Sequence, residues 1–257
     1  MLWENSGKKQ PLPHWALTGP SLGVPSLGPH WALAGRSLTG PSLSAQALQE
    51  LELSLNPLRD RGPRALARLL PLCPALRRLG LRGCGLRRPF PVPEGTPLRS
   101  LALSYNALGA AGLRQLLRAL PARGLRSLEL ASVLGRRGDG GGDGVGTELA
   151  RYLQQADCAL CHLSLAGNHL RDQDIEELAR SLPHCPSLVS LELSGNPGLG
   201  SETFRNILEA LEKRERGLEL LNLTGCGIRD LDGDALSRSR GKIRDLRLPG
   251  RKFLKGP

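Results

Sequence analysis

The sequence predicts an α/β solenoid: a horseshoe with a parallel β-sheet on its concave face and helices on its convex face. Three observations predict it. A spaced-leucine pattern of strand length returns about every 28 residues. Between the returns run segments whose apolar residues recur at helical spacing. The interior must also be aliphatic, because aromatic residues are only 3% of the 257 while hydrophobic residues are 40%. That composition disfavours folds built on aromatic clusters. A short unit of this kind cannot bury its own apolar face, so it gains stability only by stacking on its neighbours.

The copies follow in order. Leu48, Leu51, Leu53, Asn56 and Leu58 carry the first, and Leu76, Leu79, Leu81, Cys84 and Leu86 the second. Leu98, Leu101, Leu103, Asn106 and Leu108 make the third. The fourth has Leu125, Leu128 and Leu130 but Val133 where Asn or Cys is expected. Leu160, Leu163, Leu165, Asn168 and Leu170 form the fifth. The sixth is Leu188, Leu191, Leu193 and Asn196, with Leu199 one place late. Leu218, Leu221, Leu223, Cys226 and Ile228 form the seventh, and Ile243, Leu246 and Leu248 a degenerate eighth. Successive starts lie 28, 22, 27, 35, 28, 30 and 25 residues apart. This is the leucine-rich repeat, L-x-x-L-x-L-x-x-N/C-x-L, with the period of its ribonuclease-inhibitor-like type. A helical leucine-rich domain would not place a period of two at one fixed offset in every copy.

In each copy x-L-x-L-x is a short strand. Its leucines point inward and the residues between them point to the concave face, because strand side chains alternate. The Asn side chain bonds backbone groups of the turn that leaves the strand, and a Cys thiol substitutes more weakly. Cys84 and Cys226 are therefore ladder residues rather than metal ligands. Helices are expected over 62–70, 109–120, 174–182 and 201–211, with Ser201 as an N-cap. Residues 87–97, RRPFPVPEGTP, cannot form one, because three Pro stand within five residues. They read as an extended linker or as a deletion. The Gly-rich run at 138–144 is a flexible insertion, since no Gly-Lys-Ser/Thr follows to make a phosphate loop. The eighth repeat lacks most of its helix and reads as a frayed C-terminal cap.

The domain reading is a low-complexity, disordered segment over 1–44, a repeat domain of about eight repeats over 45–250 and a basic tail over 251–257. The first segment repeats PHWAL at 13–17 and 29–33 and keeps neither helix nor strand period. Net charge is +11, unevenly spread. Residues 57–90 hold nine Arg against one Asp, and residues 238–257 hold eight basic residues against one Asp. Such basic ends suit nucleic acid or acidic protein surfaces. No run reaches the roughly 18 apolar residues of a membrane span. The six Cys are scattered, which reads as a reducing compartment.

Cys158-x-x-Cys161-His162 is the sharpest local cluster, yet no second ligand pair lies near it to complete a zinc site. Cys73 and Cys185, each just before a strand, read as interior packing residues. His162, with Ser164 and Glu192 near it in register, lacks a nucleophile elbow or oxyanion device. No enzyme, cofactor, metal or small-molecule substrate is expected. The concave columns read Glu50, Glu52, Ser54; Arg78, Gly80, Arg82; Ser100, Ala102, Ser104; Ser127, Glu129, Ala131; His162, Ser164, Ala166; Ser190, Glu192, Ser194; Leu220, Asn222, Thr224. From them Glu52, Arg78, Arg82, Ser104, Glu129, His162, Ser164, Ser190, Glu192 and Asn222 are the candidate protein-binding residues.

The stretches LALSYNALGA at 101–110, LELASV at 128–133, CALCHLSLAGNHL at 158–170, CPSLVSLELSGNP at 185–197 and GLELLNLTGCGI at 217–228 carry a closer likeness. Over about residues 45–250 the chain resembles the C-terminal leucine-rich repeats of the Tonsoku-like family. That resemblance implies a nuclear scaffold, with the cytoplasm as the alternative location, in recombination repair of stalled replication forks. It implies docking of a large obligate repair partner that promotes loading of a RecA-like recombinase on single strands. The family's tetratricopeptide, histone-reading ankyrin and ubiquitin-like regions have no counterpart among these residues, so histone reading is assigned to none of them. The other readings are a nucleic-acid-contacting module using the basic ends, and a ribonuclease-inhibitor-like protein. Against the latter stands the charge, since basic ribonucleases need an acidic groove.

Overall fold

The computed structural model describes residues 45–135, 144–229 and 233–250, with the backbone of Leu254–Lys255. Expectations for residues 1–44, for most of the Gly-rich run and for most of the basic tail lie outside the described residues.

The repeats stack as the leucine spacing requires. Strands β1 (Glu50–Glu52), β2 (Arg78–Gly80), β3 (Ser100–Ala102), β4 (Ser127–Glu129), β5 (His162–Ser164), β6 (Ser190–Glu192), β7 (Leu218–Asn222) and β8 (Ile243–Arg247) follow one another in a single parallel sheet. Leu51, Leu79, Leu101, Leu128, Leu163, Leu191, Leu221 and Leu246 lie opposite one another across it. All eight are buried and join one continuous apolar interior. Burying each such side chain is worth about 1.5–3 kcal/mol.

Helices close the other side: α1 (Gly62–Leu69), α2 (Gly109–Ala119), α3 (Val145–Leu153), α4 (Asp172–Ser181), α5 (Ser201–Glu212) and α6 (Gly233–Arg240). Their buried faces are the apolar stripes, such as Leu113, Leu116 and Leu117 of α2 and Phe204, Ile207, Leu208 and Leu211 of α5. The sequence reading missed α3, whose Leu149, Tyr152 and Leu153 are buried behind the Gly-rich run. It also misplaced one cap. Ser201 is the first helical residue of α5, and Gly200 precedes it without a side-chain cap. The capping oxygen comes from the previous repeat: Asp172 Oδ1 accepts the N–H groups of Gly200 (2.8 Å) and Thr203 (3.2 Å).

Residues 87–97 contain no helix, as their prolines require. Phe90 and Val92 are buried against the core where the other repeats place a helix. The eighth repeat is not frayed. Its strand β8 pairs with β7 over Leu218–Asn222, and β9 (Leu254–Lys255) adds to it antiparallel.

The turn after each strand is fixed by the ladder. Asn106, Asn168 and Asn196 are buried and donate to carbonyls of two neighbouring strands. Cys84 Sγ donates to Leu53 O (3.0 Å) and Cys226 Sγ to Leu193 O (3.2 Å), which is the ladder role expected of them. Burial pushes both thiols up to about 11.

Candidate functional site

The strand register lays out the concave face in rows. One row runs Glu50, Arg78, Ser100, Ser127, His162, Ser190, Leu220, Asp245, and the next Glu52, Gly80, Ala102, Glu129, Ser164, Glu192, Asn222, Arg247. The concave columns read from the sequence therefore stand in the expected register.

The second row sets three carboxylates among small and polar residues, and the carboxylates are tied down. Glu52 Oε1 accepts the Ser54 N–H (2.9 Å), and its carboxylate lies over Gly80, where a Cβ would come within 2.0 Å of it. Arg82 reaches across β3 to Glu129, donating Nε to Oε2 (2.9 Å) and Nη2 to Oε1 (2.6 Å). This two-pronged contact fixes both groups better than a single surface pair would. Glu192 accepts from the Ser194 N–H (2.9 Å) and from Asn222 Nδ2 (2.8 Å). Arg78 pairs with Glu50 (3.0 Å) and stays exposed. His162 is exposed, and Ser164 and Ser190 are half-buried. Ser104 is buried, with its hydroxyl accepting the Ala131 N–H (3.1 Å), so it offers no contact surface. Among the described residues no hydrogen bond joins His162 to Ser164 or Glu192, whose carboxylate is already engaged.

Two features of this face were missed. Leu55 and Tyr105, at the exit of β1 and β3, are 75% and 66% exposed. Both stand immediately before the ladder Asn with φ of 63° and 62°. Gly83, Gly167, Gly195 and Gly225 fill the equivalent place in other repeats at φ of 62–73°. A side chain with a Cβ is strained there by about 1–2 kcal/mol. These repeats thus carry large exposed apolar groups at positions where glycine would be less strained. The signal in the sequence was the glycine at the matching place of its neighbours.

The second feature lies at the opposite rim. Arg77, Arg99 and Arg126 occupy one row just before β2, β3 and β4. Their backbones are joined by Arg99 N–H to Arg77 O (2.7 Å) and Arg126 N–H to Arg99 O (2.8 Å). All three are exposed and form no ion pair among the described residues. Three like charges about 4.8 Å apart on adjacent strands do not favour the fold. Only Arg77 of this row comes from the basic stretches seen in the composition; in the C-terminal one, Arg238 and Arg247 have carboxylate partners.

The Cys158-x-x-Cys161 pair is not brought together. Cys161 Sγ donates to Ala159 O (3.4 Å), while Cys158 Sγ meets Cys185 Sγ at 3.6 Å. Among the described residues no group of three or more His, Cys, Asp or Glu is placed to hold a metal. No helix described is long and apolar enough to cross a membrane.

Comparison with known proteins agrees with this geometry. The family model described as "Leucine Rich repeat" matches residues 45–67, 96–117 and 184–202. The chain is 41% identical to the Tonsoku-like protein of Bos taurus over 219 residues, covering 81% of this chain and 16% of that protein. It is 43% identical to the Tonsoku-like protein of Danio rerio over 213 residues, covering 78% of this chain and 15% of that protein. It is 29% identical to the ribonuclease inhibitor of Sus scrofa, covering 79% of this chain and 51% of that protein. The chain thus spans about one sixth of the length of the Tonsoku-like relatives it matches.

Proposed function

We propose that this leucine-rich-repeat chain, similar over four-fifths of its length to Tonsoku-like proteins, is a protein-docking solenoid of a repair scaffold. It acts in the nucleus, in recombination repair of stalled replication forks, and it performs no catalysis of its own. The concave face docks the large obligate partner that promotes loading of a RecA-like recombinase. One observation carries the docking role: a polar face pre-organised by Arg82–Glu129 and Glu192–Asn222, with Leu55 exposed at its rim in a strained conformation. Binding energy in protein interfaces concentrates in a few residues, most often Trp, Tyr and Arg, and Tyr105, exposed in the same strained conformation, is the aromatic one here. The test is capture of the recombinant partner by the chain and by charge-reversed Arg78→Glu, Arg82→Glu and Glu192→Arg variants. The reading expects each reversal to weaken capture, and unchanged capture by all three removes the concave face from the interface.

A second reading has its own observation. The row Arg77–Arg99–Arg126, which has no ion pair among the described residues, suits a phosphate backbone as well as an acidic protein segment. Contact with phosphates makes binding fall steeply with salt, by about one unit of log–log slope per contact. Titrating a single-stranded oligonucleotide at two salt concentrations tests it, and no binding at low salt removes it. An inhibitor role like that of the porcine relative is disfavoured by the +11 charge.

A further inference from the structure

Cys158 and Cys185 belong to different repeats, yet their sulfurs meet at 3.6 Å, just ahead of β5 and β6. Cys185 is fully buried and Cys158 half-buried. Ser187 Oγ stands 3.4 Å from Cys185 Sγ and donates to Leu160 O (2.9 Å). Beside them lies Arg214, only 5% exposed. Its Nη2 donates to Pro186 O (3.0 Å) and Leu188 O (2.7 Å), the carbonyls that bracket Ser187. Its Nε and Nη1 are buried and have no partner among the described residues. No carboxylate pairs with it among the described residues. A buried guanidinium with two orphaned donors and no counter-charge is costly. The acidic group whose charge acts on it is the Cys185 thiol.

We propose that Cys185 is held as a thiolate opposite Arg214, and that Cys185 and Cys158 form a redox-reactive pair that a peroxide closes into a disulfide between the fifth and sixth repeats. The hydrogen bond with Cys158 does most to hold the Cys185 thiol below its ordinary value; burial opposes it, and Ser187, the Leu188 N–H and Arg214 assist. That same hydrogen bond pushes Cys158 up, with burial adding to it. The pair therefore shares one proton and titrates as a unit. The other titratable groups against it are Cys161 and the buried phenol of Tyr152, which burial keeps protonated.

A matched control lies within the chain. Cys73 follows the same kind of 3₁₀ turn as Cys185, with nearly the same backbone, φ −118° against −119°. It has Ala75 where Cys185 has Ser187, and burial pushes its thiol up. The low value at Cys185 thus comes from its neighbours rather than from its place in the repeat.

The chemistry balances. Cys158, the half-buried sulfur that solvent reaches, attacks a peroxide oxygen as its proton passes to the Cys185 thiolate; an S–O bond forms, the O–O bond breaks, and the departing hydroxide takes a proton to become water. The second sulfur, losing its proton to solvent, displaces the sulfenic oxygen, so that an S–S bond forms and a second water leaves. Two thiols lose two electrons and two protons, and the peroxide is reduced to two waters. The sulfurs need to close from 3.6 Å to about 2 Å. Oxidation also removes the anion facing Arg214. None of this depends on what the concave face binds.

The experiment is hydrogen peroxide treatment of the full chain across a pH series, then alkylation of the remaining thiols and peptide mapping by mass spectrometry. The expected result is a Cys158–Cys185 link, reversed by dithiothreitol, whose rate rises through a pH below the ordinary thiol value. The link is absent in Cys158→Ser and persists in Cys84→Ser. Arg214→Met moves the pH midpoint upward by raising the thiol, and Arg214→Lys, which keeps the charge, restores much of that shift. The wild-type pH midpoint needs no substitution and so stands even where a variant fails to fold. A midpoint at or above the ordinary thiol value of about 8.5, a Cys158–Cys161 link, or even oxidation of all six thiols overturns the proposal.

Discussion

Asn196 is the most connected side chain of the ladder, and its removal has a cost that can be worked bond by bond. It is fully buried. Its Nδ2 donates to Leu193 O (2.8 Å) and Leu165 O (3.1 Å), and its Oδ1 accepts from Asn168 N–H (2.9 Å) and Leu170 N–H (3.1 Å). In Asn196→Ala, Leu193 O keeps the Cys226 thiol at 3.2 Å as a donor. Leu165 O and the two N–H groups lose their bonds to the side chain. Three buried groups at about 1–2 kcal/mol each give a loss of roughly 3–6 kcal/mol. Asn196→Cys should fall between, because Cys84 and Cys226 show that a thiol still reaches a ladder carbonyl. Urea unfolding followed by far-ultraviolet circular dichroism measures both. Fluorescence is the wrong probe, since Trp3, Trp15 and Trp31 all precede the repeats. A loss below about 1 kcal/mol for the alanine variant, within the range of a single net hydrogen bond, would refute the reasoning that the ladder holds the turns.

Gly146→Ala should destabilise by about 1–3 kcal/mol through overpacking, because a Cβ there would come within 1.9 Å of Asp174 O at the start of α4. Gly112→Ala in α2 has only ordinary contacts, at 3.4 Å or more, and should stabilise the chain by up to about 1 kcal/mol; thermal melts separate the two. Leu55→Gly should leave stability within about 1 kcal/mol, since relief of the positive φ offsets the added chain entropy, yet weaken partner capture in a pull-down. Glu148 is buried between Arg118 and Arg151, and these two guanidiniums overcome the upward push of burial and lower its carboxyl. A lowered carboxyl adds stability above its ordinary range and loses it as pH falls through the lowered value. The stability gap between wild type and Glu148→Gln should therefore narrow on acidification, as read by urea unfolding across pH.

The strands and their register were legible residue by residue, because a period of two at a fixed offset leaves no freedom in which side chains face inward. The ladder cysteines were legible for the same reason. What the sequence concealed depends on neighbours about one repeat away. Asp172 caps α5 across 28 residues, and local pattern pointed instead to Ser201. Phe90 and Val92 fill the place of a helix only because their repeat is stacked between two others. Leu55 and Tyr105 occupy a variable position of the motif, and only the shared backbone conformation of the stacked repeats shows them to be strained. The arginine row emerges from three distant stretches once the strands are aligned, and Cys185 gains its neighbour Cys158 in the same way.

The docking face can be tested directly by carboxyl footprinting with a water-soluble carbodiimide, with and without the repair partner. Glu52, Glu129 and Glu192 stand on the concave sheet, and Glu176 and Glu177 on the outer helix α4 with Arg180. The account predicts that the partner shields the three sheet glutamates and leaves the two helix glutamates as reactive as before. Protection of Glu176 and Glu177 with unchanged labelling of the sheet would place the partner on the convex side and contradict it.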